Sequence, residues 1–393
     1  MSVRSFEIRP AIENLQDSQI VDVWKMGFTV PDVVGLWVGE GDLPTTKFIC
    51  DAAAEALREG KTFYTYKRGI PELRQALIDY HRRLYNVELT EDRIAVTSSG
   101  MNAMMLIVQS LIGAGDNMVC VTPVWPNIFR AVEIMGGEPR QVAMTGEGDG
   151  WHLDLDKLFA ACDGRTRAVY VATPGNPTGW VMPEEQRRAL LDFCRKRRIA
   201  LIADEVYNRL IYNKPVAPSF LELATPDDPV FVVNSFSKTW AMTGWRMGWM
   251  VMPRSALTQI ERLIEFNTSG GQPFLQAACV KAIAEGEDWV KWMVDRCRQG
   301  RDLVLERLSG MNRVRVIPAD ASFYLMLQVE ELGKEPGAAL DFCKRLVVEG
   351  KVGLAPGTAF GAGGEGYLRL CYAQSNDRLS VAMDRFEAFL RKA

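Results

Sequence analysis

Histidine is nearly absent from this chain: 393 residues contain only His81 and His152. That scarcity leaves little material for a serine–histidine triad or a multi-histidine metal centre. His81 in "DYHRRLYN" and His152 in "DGWHLDLD" sit among polar residues, so both are expected at the surface, and any acid–base catalyst is expected to be another residue type. Cysteine is present eight times, but without a CxxC pair or a cluster, which favours buried reduced thiols over a metal site. An excess of either charge is missing too: Lys+Arg 46 against Asp+Glu 49 leaves −3, no basic field for nucleic acid. No apolar run approaches the ~20 residues of a membrane span, and "MSVRSFEIRPAIENLQ" contains no apolar leader core. These absences point to a cytoplasmic protein that engages no nucleic acid, no membrane and no metal.

What is present is alternation. A prior of about 150 residues per domain suggests two or three domains. Helical patterns such as "AAAEALREG" and "IPELRQALIDYHRRLYN" are interleaved with compact apolar runs: "RIAVTSSG", "NMVCVTP", "RAVYVATP", "IALIADE" and "VFVVNSFS". That pattern predicts an α/β fold, a mostly parallel sheet with helices on both faces. After about residue 270 long amphipathic stretches flank brief strands ("SFYLMLQV", "YLRLCYA"), predicting a smaller α+β part. The expected organisation is an N-terminal segment (1–40) joining the small part, a large α/β domain (41–280), and a small C-terminal domain (281–393).

Ligands of open α/β sheets sit beyond the carboxyl ends of the strands. The polar groups ending these runs should therefore share one crevice: Ser99 and Gly100, Trp125, Asn176, Asp204, and Ser235 to Lys238. Ser99-Gly100-Met101 stands where a strand meets a helix, so free backbone N–H groups there could cradle a phosphate, although an ordinary strand–helix turn looks the same. Ser235, Ser237 and Arg246 strengthen the anion reading, with two hydroxyls and a guanidinium fork. In "NSFSKTWAMTGWRMGWMV" Lys238 lies among apolar residues, and Arg246 follows at a distance of two helical turns. Such a setting suits a nucleophilic lysine better than a solvated one. Asp204 ends an apolar strand and needs a cationic partner if buried; Tyr207 would share its face if a helical turn begins there. "ATPGNPTGWVM" holds Asn176 in a loop stiffened by prolines and glycines. "GAGGEG" (Gly361, Gly363, Gly366) matches a dinucleotide fingerprint but lacks the strand–turn–helix context, and reads as a turn.

Together these segments resemble the pyridoxal-phosphate-dependent aminotransferases of class I/II, with the aspartate-aminotransferase-like fold. The resemblance runs from "LWVGEGDLPT" through "YTYKRGIPELRQAL", "PVWPN", "ATPGNPTG", "ADEVY" and "SFSKTWAMTGWRMGW" to "YLRLCYA". It implies pyridoxal 5'-phosphate as cofactor and transfer of an amino group between an α-amino acid and a 2-oxo acid. It casts Lys238 as the lysine of the internal aldimine and proton shuttle, and Asp204 as partner of the pyridine nitrogen. Tyr207 and Asn176 match the groups bonding the phenolic oxygen, and Trp125 the ring-stacking aromatic. Arg246, Ser235, Ser237 and the backbone at Ser99, Gly100 and Met101 match the phosphate cradle. Arg369 matches the fork for the substrate α-carboxylate, with Gly39 close by. Tyr64, with Tyr66 as its rival, matches the tyrosine that reaches the neighbouring subunit, which implies a homodimer with shared sites. Met101 stands where some aspartate-preferring members resemble each other in carrying a lysine, and Arg130 could supply a charge instead. A carbon–sulfur β-lyase on the same scaffold is the alternative reaction, and a sensor protein the third reading; sensors of this fold usually carry a DNA-binding domain, for which no room is expected here.

Overall fold

Apolar strands without polar alternation require burial on both faces, and the chain provides it. The computed structural model describes residues 6–330, 332, 335 and 337–392. The first five residues of the expected N-terminal segment, and residue 393, therefore lie outside the described residues. Seven strands form the large sheet in the order Ile94–Thr97, Gly248–Val251, Val230–Ser235, Ala200–Asp204, Thr166–Ala172, Asn117–Thr122, Glu138–Ala143. From Val230–Ser235 to Glu138–Ala143 all neighbours are parallel. The strands Asn117–Thr122, Ala200–Asp204 and Val230–Ser235 are buried at every position. Their alternate residues feed two separate cores: Val119, Leu201 and Val232 on one face, Met118, Ile202 and Val233 on the other. At the edge, Glu138–Ala143 exposes polar residues, which blunts pairing with another chain.

Gly248–Val251 was not foreseen as a strand. It is four residues long and runs antiparallel to both neighbours, and it follows Arg246, which is in the left-handed conformation at φ +53°. A Cβ on Gly248 would lie 2.5 Å from the Gly100 nitrogen, so only glycine lets this strand pass beneath the helix that begins there. The spacing of Lys238 and Arg246 is likewise not helical: a short helix, Phe236–Thr239, is followed by a single 3-10 turn, Thr243–Trp245.

The second sheet is antiparallel, in the order Val314–Ile317, Tyr324–Val329, Tyr367–Cys371, Ala355–Pro356. Helices Glu287–Ser309 and Asn376–Leu390 pack on each other beside it. Val34–Gly35 pairs in parallel with Val352–Gly353, and Val23, Leu36 and Trp37 share a core with Leu370 and Phe386. Position 280 falls inside helix Pro273–Glu285, whose Cys279 and Ala282 belong to a core of the large sheet. Gly286 is the junction between this helix and helix Glu287–Ser309.

One expectation is corrected. His81 is fully buried, not at the surface, and Trp249 Nε1 donates to its Nε2 at 3.1 Å. The polar letters around it conceal helical periodicity: Leu73, Leu77, Tyr80 and His81 all lie on the buried face of helix Pro71–Tyr85, at the spacing of an amphipathic helix. His152 is exposed as expected, with Nε2 2.8 Å from Asp149 Oδ1. Seven of the eight cysteines are buried, and all eight are free thiols.

Candidate active site

The polar strand ends converge. A cavity of about 640 Å³ is lined by Gly39, Gly100, Met101, Trp125, Asn176, Asp204, Tyr207, Ser235, Ser237, Lys238, Arg246 and Arg369. Ser99 adjoins it as N-cap of helix Gly100–Leu111, its Oγ accepting from the Asn102 N–H at 2.9 Å. Tyr64 lies elsewhere and is 94% exposed. Arg130 is turned away, donating to Glu133 and Gln16.

One end of the cavity is built for an anion. The N-terminal end of helix Gly100–Leu111 lines the same space as Ser235 and Ser237, whose hydroxyl oxygens are 2.9 Å apart. Ser235 also caps the short helix carrying Lys238, accepting from the Ser237 N–H at 3.1 Å. Arg246 donates to the Thr243 carbonyl at 2.6 Å and lines the same space. A helix N-terminus, hydroxyls and a guanidinium form a donor set suited to phosphate.

Asp204 forms the floor. It is 7% exposed, and it accepts from Tyr170 Oη at 2.8 Å and from the Val206 N–H at 3.3 Å. Among the described residues no lysine or arginine pairs with it, so burial pushes its carboxyl above the usual range, opposed by the Tyr170 bond. Its cationic support is the more distant Lys238 charge, and a buried carboxylate so weakly compensated suits a cationic ligand.

Arg369 presents the mirror image of that problem. It is 2% exposed, and its Nη1 donates to Asn176 Oδ1 at 3.0 Å while Nη2 donates to the Trp37 carbonyl. Its guanidinium carbon lies 4.5 Å from the Tyr324 ring centre and 4.7 Å from that of Phe360, a cation–π sandwich. Nε has no hydrogen-bond partner, and among the described residues no carboxylate pairs with this cation. An anion of matching fork geometry is the missing partner.

Lys238 stands among these groups. Its Nζ donates to the Gly39 carbonyl at 2.6 Å and lies 6.0 Å from the Tyr207 and Phe323 ring centres. Burial, reinforced by the Arg369 and Arg246 charges, lowers its pKa to about 8, while Cys371 and Glu40 act in the opposite sense. Because burial also pushes the Cys371 thiol up, that thiol is neutral near pH 7 and does little to hold the ammonium. The outcome is an amine that is partly neutral in ordinary buffer, the condition for nucleophilic attack and proton abstraction.

Two participants carry no cue in their own segments. Tyr324 Oη lies 2.7 Å from Tyr207 Oη, and a Cβ on Gly39 would meet that same Tyr324 hydroxyl at 2.2 Å, so the glycine is required. Tyr170 braces Asp204 from the adjacent strand. Both tyrosines sit in apolar strands and acquire their roles only when strands are laid side by side.

The family described as "Aminotransferase class I and II" matches residues 31–386. The aspartate aminotransferase of Pyrococcus horikoshii is 30% identical over 389 residues, 98% of each chain. The aromatic-amino-acid aminotransferase 2 of Thermococcus litoralis is 30% identical over 384 residues, 97% of each chain. The solved structure of Thermus thermophilus aspartate aminotransferase with maleate superposes with a TM-score of 0.90 at 29% identity, covering 98% of this chain and 100% of that one. Among the described residues, no helix is long and apolar enough to cross a membrane.

Proposed function

Since the chain belongs to the class I and II aminotransferase family, a pyridoxal-phosphate-dependent family that moves amino groups between α-amino acids and 2-oxo acids, we propose how its own residues perform that transfer. The observation that carries the proposal is the pair of buried, opposite, weakly compensated charges, Asp204 and Arg369, lining one cavity with a lysine of lowered pKa. Each part fits one part of the reaction. The Gly100 helix end, Ser235, Ser237 and Arg246 would hold the cofactor phosphate, and Asp204 would take its ring nitrogen as cationic partner. Trp125 would stack on its ring, and Lys238 Nζ would be the amine that tethers it. Bound in this way, the cofactor supplies an electron sink for the pair left behind when the substrate Cα loses its proton.

The remaining chemistry falls to the protein. Arg369 and Asn176 fix the α-carboxylate, which leaves the Cα–H aimed at Lys238. Lys238, whose buried amine is partly neutral, would act as the base that takes the Cα proton and as the acid that gives it back. Tyr207, held by Tyr324, would hydrogen-bond the cofactor's phenolic oxygen. We also propose a homodimer in which Tyr64 completes the neighbouring site. Tyr66 is tied within its own chain, donating to Glu261 at 2.6 Å beneath the Arg68 and Arg74 guanidiniums, whereas Tyr64 projects freely. The carbon–sulfur lyase reading is not favoured, since the relatives bear aminotransferase names.

The test is product analysis on the loaded protein. Transamination yields one equivalent of 2-oxo acid per site without ammonia, and a 2-oxo acid added afterwards restores the starting spectrum. Stoichiometric release of ammonia and pyruvate from a single substrate would replace this reading with the lyase.

A further inference from the structure

The geometry points to the class of amino donor: an amino acid whose side chain is uncharged and apolar, rather than a dicarboxylate. This inference rests on the transamination reading above. With the α-carboxylate on Arg369 and the α-nitrogen beside Lys238, a substrate must send its side chain along the walls flanking that line, and the structure identifies those walls. Val38 lies between Trp37, whose carbonyl accepts from Arg369, and Gly39, whose carbonyl accepts from Lys238. The Val124 N–H donates to the Phe360 carbonyl at 2.8 Å, which draws Trp125 toward the Arg369 sandwich. Thr358 Oγ1 donates to Gln19 Oε1 at 2.7 Å, which brings the start of helix Gln19–Met26, with Ile20 and Val21, over the same loop. Met101 and Met104, three apart on helix Gly100–Leu111, face into the cavity.

The walls flanking that line are thus mainly isoleucine, valine, methionine and tryptophan, with Ser18, Asn127 and Thr243 as uncharged polar neighbours. Among the described residues the cavity's only cations are Lys238, Arg246 and Arg369, and each already has a task in the reaction. Apart from Asp204, which also has a task in the reaction, the remaining charged side chain is Glu40, whose carboxylate accepts from Thr243 Oγ1 at 3.0 Å. A second substrate carboxylate would lose its water without gaining a cation, and would face a like charge. An apolar side chain gains by burial, and the two methionines adapt to different shapes.

The experiment uses the cofactor-loaded protein and follows 2-oxo acid formation in single half-reactions from leucine, methionine, phenylalanine, aspartate, glutamate and lysine. The expected result is that each of the three apolar donors exceeds each of the three charged ones by roughly tenfold or more in the second-order rate constant. Aspartate, glutamate or lysine matching or exceeding the apolar donors would overturn the proposal while leaving transamination intact. Formation of no 2-oxo acid from any of the six would overturn the transamination reading, and the proposal with it. In a second arm Met101→Lys should shift the aspartate-to-leucine ratio toward aspartate by roughly tenfold; an unchanged ratio in a folded variant would refute the placement of Met101 against the substrate side chain.

Discussion

The lysine at the centre of this site should be reactive at a pH where ordinary lysines are not. Its pKa is lowered from 10.5 to about 8, first by burial and then by the Arg369 and Arg246 charges. At about pH 7.5 roughly a quarter of such an amine is neutral, against roughly 0.1% for an unperturbed lysine, a ~200-fold difference in available nucleophile. The assay is covalent capture of pyridoxal 5'-phosphate by the cofactor-free protein across a pH series, quenched with borohydride and followed on the Lys238 peptide by mass spectrometry. The capture rate should climb about tenfold per pH unit below about pH 8 and then level off. Arg369→Met, which removes one of the two cations, should move the midpoint upward. A rate at Lys238 that keeps climbing tenfold per unit through about pH 10 would refute the reasoning, because the surroundings would then have left the amine unperturbed.

Arg369→Met should raise KM for the amino donor by roughly 10²- to 10⁴-fold, the loss of two charge-assisted bonds at about 1.5–3 kcal/mol each, as read by steady-state kinetics. Its melting temperature should hold or rise, because the substitution removes a buried cation that has no protein counterion. Asp204→Ala should lower turnover by at least ~100-fold while thermal unfolding shifts little; activity near that of the unaltered protein would mean that the ring nitrogen lies elsewhere. Acid stability should show the mark of His81. The unfolded imidazole takes up a proton near pH 6.5 but the buried one, desolvated and close to Arg93, only near pH 3. Its contribution is therefore complete above pH 6.5 and is lost as the pH falls toward 3. By about pH 5 the loss amounts to about 2 kcal/mol. Denaturant unfolding at pH 7 and pH 5 measures it, and His81→Gln should flatten that slope.

The features legible in the sequence were those written locally. Strand runs with polar endings located Ser99, Asp204 and Ser235, and the sheet rule then collected them into one crevice. Lys238 and Asn176 stood out because each is a single polar group of its kind in a stiff or apolar segment. Features that depend on pairing across the fold were not legible. Tyr324 and Tyr170 read as strand residues until the neighbouring strands placed Tyr207 and Asp204 against them. His81 was hidden by arginines on the opposite face of its own helix. Gly248–Val251 was missed because four residues after a left-handed arginine are too few to display an alternation. The need for glycine at position 39 is likewise a matter of contact, fixed by a tyrosine hydroxyl 285 positions further along the chain.

The central claim is that Lys238 is the residue that carries the cofactor. The most direct measurement is borohydride reduction of the cofactor-loaded protein, followed by digestion and mass spectrometry of every lysine-containing peptide. A single phosphopyridoxyl group on Lys238, lost from the peptide map when an amino acid is added before the reductant, is the predicted result. Stoichiometric labelling of a different lysine, with Lys238 unmodified, would contradict the proposed site.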